Sequence, residues 1–77
     1  GTTVRTILRS IDLTYPSSVG VIEHLLRDVP GVTRATVHFP TGHMVVDHED
    51  VPPQLLLDTV AEAGFTARVT SAAKVPA

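Results

Sequence analysis

At Pro30-Gly31 the apolar pattern of this chain changes period, and that change constrains the fold more than any other feature. Before it, Val19, Ile22, Leu25, Leu26 and Val29 recur at helical spacing and form a single stripe. After it, residues 32–39 alternate, with Ala35, Val37 and Phe39 on one side and Arg34, Thr36 and His38 on the other. Alternation of this kind belongs to a half-buried strand. Proline cannot continue a helix and glycine supplies the reversal, so a helix must hand over to a strand within about two residues.

The remaining segments extend the same logic. Residues 4–11 read as a first strand, although Val4-Thr6-Leu8-Ser10 and Arg5-Ile7-Arg9-Ile11 each mix polar and apolar side chains. Pro16-Ser17-Ser18 is a helix start with hydroxyls available to cap free amides. Gly20 weakens that helix by about 1 kcal/mol relative to alanine. Pro40-Thr41-Gly42 has turn chemistry, and Met44, Val46 and His48 face inward on the strand that follows. If Val37 lies opposite Met44, His38 lies opposite His43, because a slip of one residue would turn every side chain over.

Glu49-Asp50-Val51-Pro52-Pro53 is expected to open a second helix, with acidic side chains at its positive end and proline in its first turn. Leu56, Leu57, Val60, Ala61 and Ala63 supply its buried side, and Gly64 ends it. Residues 65–69 form a final short strand. Residues 70–77 show no pattern and read as a flexible tail or linker, which puts the domain at 1–69. The order β-α-β-β-α-β defines an α+β, ferredoxin-like sandwich: two helices on one face of a four-stranded antiparallel sheet, the other face open. That topology gathers the loop around Tyr15, the turn at Pro40-Gly42 and Phe65 at one edge.

Composition narrows the chemistry. Seventy-seven residues allow one core. A chain that is 43% hydrophobic and 18% charged has a globular rather than a disordered balance. The absence of cysteine removes disulfides, thiolate metal sites and cysteine nucleophiles together. A formal net charge of -2 offers nucleic acid no electrostatic attraction. No apolar run approaches the roughly 20 residues of a membrane helix. Gly1 reads as the remnant of an expression tag.

The stretch Leu13-Thr14-Tyr15-Pro16-Ser17-Ser18-Val19, with Ile22-Glu23 and Val29-Pro30-Gly31-Val32 downstream, resembles the heavy-metal-associated domain family. The similarity runs from about Val4 to Val69, and includes Thr41-Gly42 and Ala63-Gly64-Phe65. In that family the loop reads Gly-Met-Thr-Cys-x-x-Cys-Val, and the first helix ends in Pro-Gly-Val. Aligned on Pro30-Gly31-Val32, Asp12 stands for the loop glycine, Leu13 for the buried methionine, and Tyr15 and Ser18 for the two cysteines. Leucine for methionine is a packing-neutral exchange. Phenol and alcohol oxygens are poor ligands for soft ions, so the exchange at Tyr15 and Ser18 removes the thiolate site. Pro16 stiffens the loop, and Tyr15 is expected to fill the metal's place, its ring against Phe65, with a role in recognition as the alternative.

Members of that family serve as copper chaperones or as cytosolic N-terminal modules of soft-metal P-type ATPases. The resemblance therefore implies a non-catalytic, cytoplasmic, monomeric module without cofactor. It would act in docking or regulation, on other domains of a parent transporter or on a partner protein. The open face, with Arg5, Ile7, Arg9, Thr36, Val45 and Arg68, is the expected contact surface.

The alternative is a repurposed metal site. His38 and His43, as cross-strand neighbours, could clasp zinc, copper(II) or nickel, although a tight site needs a third or fourth ligand. The same pair, left exposed, is a bland hairpin feature, or a pH-sensitive one if both rings are charged. Asp47-His48-Glu49-Asp50 reads as a solvated strand end, since a strand sends alternate residues to opposite faces. His24 reads as an exposed helix residue. RNA-recognition modules share the topology but need aromatics on the open face, where this sequence has none. The first loop also lacks the phosphate-binding arginine of an acylphosphatase.

Overall fold

In a computed structural model, residues 2–76 are described. The elements are β1 (Val4–Ser10), α1 (Ser18–Arg27), β2 (Val32–Val37), β3 (His43–His48), α2 (Pro53–Glu62) and β4 (Ala67–Lys74). They form a four-stranded antiparallel sheet in the order β2-β3-β1-β4. This is the ferredoxin-like sandwich that the change of period requires. Gly1, read as a tag remnant, and Ala77, the end of the expected tail, lie outside the described residues.

The ambiguous first strand is resolved by its partners. Thr6, Leu8 and Ser10 turn inward and are buried, while Arg5 and Arg9 are exposed on the open face. Leu8, Ile22, Leu26, Met44, Val46, Leu56 and Val60 make the centre of the core, with Val19, Val29 and Phe65 packed against it. Two polar side chains enter that core as a pair: Thr6 Oγ1 lies 2.7 Å from His48 Nε2, so neither buried group is left unpaired. Val37 does lie opposite Met44.

The outer edge of β2 is closed by side chains of α1. The Glu23 carboxylate accepts from the Val37 amide at 2.8 Å, and Arg27 donates to the Ala35 carbonyl at 3.0 Å. Unpaired edge amides invite pairing with other chains, and these two residues blunt that edge.

Several local expectations are corrected. The final strand does not stop at residue 69: β4 continues to Lys74, with Ser71, Ala72, Ala73 and Lys74 opposite Ile7, Thr6, Arg5 and Val4. The expected boundary between domain and tail therefore falls inside the sheet. A register shift between Ile7 and Leu8 lets Thr70 bulge, and its hydroxyl donates to the Ile7 carbonyl at 3.1 Å. This edge strand is exposed along most of its length. Its backbone pairs without needing an apolar face, so its sequence shows no alternation.

Glu49 and Asp50 do not sit in the first turn of α2, which begins at Pro53 after an extended Pro52. They belong to the preceding loop, where the Thr3 hydroxyl donates to Glu49 at 3.0 Å. Ser17 occupies the N-cap of α1 without a capping hydrogen bond, since its own backbone is already helical. Ala61 is exposed, and Thr59 is buried in the side expected to carry it. Phe39 is 39% exposed rather than inward, because β2 ends at Val37 and the alternation ends with it.

Candidate functional site

The loop from Ile11 to Ser17 leaves β1 at the end of the sheet where the β2–β3 turn and the start of β4 also arrive. A hydrogen bond from the Ser10 amide to the Gly42 carbonyl, 2.9 Å, brings the turn to the loop. Gly42 has φ +79°, and a Cβ there would collide with the Ser10 carbonyl oxygen, so only glycine allows this approach.

Asp12 makes the third connection. Its carboxylate accepts from the Ser10 hydroxyl at 2.6 Å and from the Thr66 amide at 3.1 and 3.0 Å. These donors, the Ser10 hydroxyl first and the Thr66 amide second, hold the Asp12 carboxyl below its ordinary range. The expected meeting of the Tyr15 loop, the Pro40-Gly42 turn and the segment at Phe65 is thus realised through Ser10, Asp12 and Thr66. The acidic residue in the place of a loop glycine gave no sequence signal of this role. Its partners lie two and 54 positions away.

Within the loop, neighbours have opposite fates. Leu13 is 6% exposed and joins the core, as its place at the buried-methionine position implies. Thr14, Pro16 and Ser17 are exposed, and Ser18 is partly buried at the first turn of α1. The Ser18 amide donates to the Tyr15 carbonyl at 3.1 Å, and the Val19 amide to the Pro16 carbonyl at 3.1 Å. These bonds wind the loop into the helix.

Tyr15 is 70% exposed. It does not fill an enclosed space, and that expectation is corrected: its ring stands in solvent while Phe65 packs against the core. At positions 15 and 18 the donors are therefore one exposed phenol and one alcohol, which do not fit a soft monovalent or divalent ion. Among the described residues no group of three or more histidine, cysteine, aspartate or glutamate side chains could hold a metal ion.

His38 and His43 are brought together as the register requires. The His38 amide donates to the His43 carbonyl at 2.7 Å. His38 is exposed and His43 half-buried. His48 is buried against Thr6 and does not join them. His24 is exposed, 3.4 Å from Asp28 on its own helix.

The register carries this row across the whole open face. His43 lies opposite Arg9, and Arg9 opposite Arg68. A second row consists of Thr36, Val45, Ile7 and Ser71, and a third of Arg34, Asp47, Arg5 and Ala73. Asp47 is not a solvated strand end. It is 8% exposed and accepts two bonds from Arg5, at 2.8 and 3.1 Å. The Arg5 hydrogen bond, outweighing burial, holds the Asp47 carboxyl below its ordinary range.

No protein-family model matches the sequence, and no curated protein matches it. Solved structures do. The N-terminal domain of PacS from Synechocystis PCC6803 is 31% identical, with 87% of this chain and 97% of that one covered and a TM-score of 0.79. Oxidized MerP from Ralstonia metallidurans CH34 is 25% identical over 90% and 99% of the two chains, with a TM-score of 0.84. The N-terminal domain of a potential copper-translocating P-type ATPase from Bacillus subtilis, in its Cu(I)-loaded state, reaches a TM-score of 0.85 at 19% identity, over 92% and 91%. The fold is that of a heavy-metal-associated domain. What distinguishes this heavy-metal-associated fold is a loop of phenol and alcohol in a chain without cysteine.

Proposed function

We propose that this chain is a heavy-metal-associated module that has lost its thiolate site. Tyr15 and Ser18 stand at the two cysteine positions, and the module acts as a regulatory or docking domain of a heavy-metal transport P-type ATPase, on the cytoplasmic side. One observation carries the reading: Leu13 keeps the buried anchor of the loop while Tyr15, two residues on, stands in solvent. The scaffold of the site persists without its ligands. The structural neighbours, domains of P-type ATPases and metallochaperones, support the parentage. With phenol and alcohol in place of thiolates, the role that such a module retains is contact, with other domains of its parent protein or with a separate protein.

The test is an NMR titration with copper(I) and zinc(II). Residues 12–18 are expected to stay unshifted at micromolar metal, and the double variant Tyr15→Cys/Ser18→Cys to take up copper(I) in the same loop. Tight copper(I) binding by the unaltered chain beside Tyr15 and Ser18 would end the reading.

The second reading rests on the adjacency of His38 and His43 across the hairpin. Two imidazoles make a clasp for zinc, copper(II) or nickel rather than a closed site. Shifts confined to those two residues at micromolar metal would favour it over docking.

A further inference from the structure

The open face of the sheet is cationic although the chain is not. Arg5, Arg9, Arg34 and Arg68 stand on it with one carboxylate, Asp47. The other seven of the eight carboxylates lie in loops and on the helices, and they set the net charge of -2. Asp47 serves the far row, where it is bound to Arg5 and feels the charge of Arg34. In the row nearest the Tyr15 loop no carboxylate plays that part. Among the described residues, Arg9 and Arg68 form no ion pair.

Between these two arginines lies a depression of about 190 Å³, walled by Arg9, Ile11, Thr66, Ala67 and Arg68. Two arginines, paired across β1 and β4, line it together with the apolar Ile11 and Ala67. Ile11 is 81% exposed, which is costly to leave uncovered for a side chain of its size. Asp12 is tied to this depression through the Thr66 amide, but its oxygens are already taken by the Ser10 hydroxyl and that amide.

Resting on the docking role proposed above, we infer that the partner is an acidic protein segment. A carboxylate side chain of that segment seats between Arg9 and Arg68, and an adjacent apolar side chain covers Ile11. Guanidinium forks match carboxylates in pairs, and the methylene stem of glutamate suits the apolar wall. His43 and His38 continue the row and extend the contact to a second carboxylate along the segment. The face lacks aromatics on which bases could stack, which disfavours nucleic acid. Docking at this depression leaves the helices free.

The experiment is an amide NMR titration with a blocked pentapeptide of four glutamates around a central leucine. Its glutamine counterpart and inorganic phosphate are run beside it. Shifts at Arg9, Ile11, Thr66 to Arg68 and His43 are expected with the glutamate peptide alone, weakening with added salt. Arg9→Gln/Arg68→Gln should lower affinity about tenfold or more. Arg27→Gln, on α1, should leave it unchanged.

Absence of shifts at millimolar peptide, equal shifts with phosphate or glutamine peptide, or full affinity in the double arginine variant would each overturn the proposal. Copper(I) uptake at the loop would end the reading of a lost site and leave the arginine response standing. Loss of the arginine response in a chain that takes up no metal ends the acidic-segment proposal alone.

Discussion

The two ends of the sheet are built by opposite means. At the end where α1 passes into β2, Gly31 lies against the Glu49 carbonyl and the Val51 side chain, and its own carbonyl accepts from the Glu49 amide at 2.8 Å. Val51 is 7% exposed there, and Val29 and Val32 pack on the core. At the other end the ties are polar, from Asp12 to Ser10 and Thr66, and the large apolar side chains Ile11, Tyr15 and Phe39 stand exposed. One end is drawn together by packing, although Leu55 stays exposed beside Val29 and Pro30. The other is held in shape by polar ties and leaves those three side chains in solvent.

Both ends share a glycine at a close approach, so replacing either should have the largest effect. Gly31→Ala and Gly42→Ala each set a Cβ against backbone at positive φ, +97° and +79°, and each should cost more than about 2 kcal/mol in urea denaturation. A mild effect at Gly42 alone would show that the loop end yields where the packed end cannot.

Asp12→Ala should cost less than either glycine change, and its effect should depend on pH. The folded carboxyl titrates below its ordinary value, so its stabilising contribution is complete above the ordinary aspartate range and disappears as pH falls through the lowered one. Variant and parent should therefore differ in thermal midpoint at neutral pH and converge in acid. A difference that persists in acid would mean that Asp12 acts by packing, and the contrast between polar and packed ends would fail.

Gly20→Ala should stabilise the chain by about 0.5 kcal/mol, because a Cβ there meets nothing within 4 Å in the first turn of α1. The gain should appear as a higher urea midpoint with an unchanged slope. Tyr15→Ala is expected to change stability least, within about 0.5 kcal/mol, since its ring is mostly in water. A large loss on thermal unfolding would place Tyr15 in a structural role that its exposure does not suggest.

Much of the fold was legible because its signals are local. The stripe from Val19 to Val29, the stop at Pro30-Gly31 and the alternation through Ala35 and Val37 depend on neighbours in sequence. Periodicity therefore placed both helices, three strands and the opposition of His38 and His43. Where the alternation failed, at Phe39 and through residues 70–74, so did the reading. Phe39 follows the end of its strand, and β4 pairs by backbone alone on an uncovered edge.

The loop was half legible. Leu13 could be placed by resemblance, whereas Tyr15 could not be placed as filler or free until its exposure in the folded chain was known.

By itself the sequence determined the order of elements and the absence of thiolate chemistry, since the first is written in spacing and the second in a composition whose one sulfur donor is Met44. Tertiary structure alone decided that Asp12 ties loop to sheet, that Arg5 pairs with Asp47, and that Arg9 lies opposite Arg68, neither forming an ion pair among the described residues. Each joins residues 42 to 59 positions apart along the chain. Hydrogen bonds and charge pairing act through space, and the pairing of strands creates the distances over which they act.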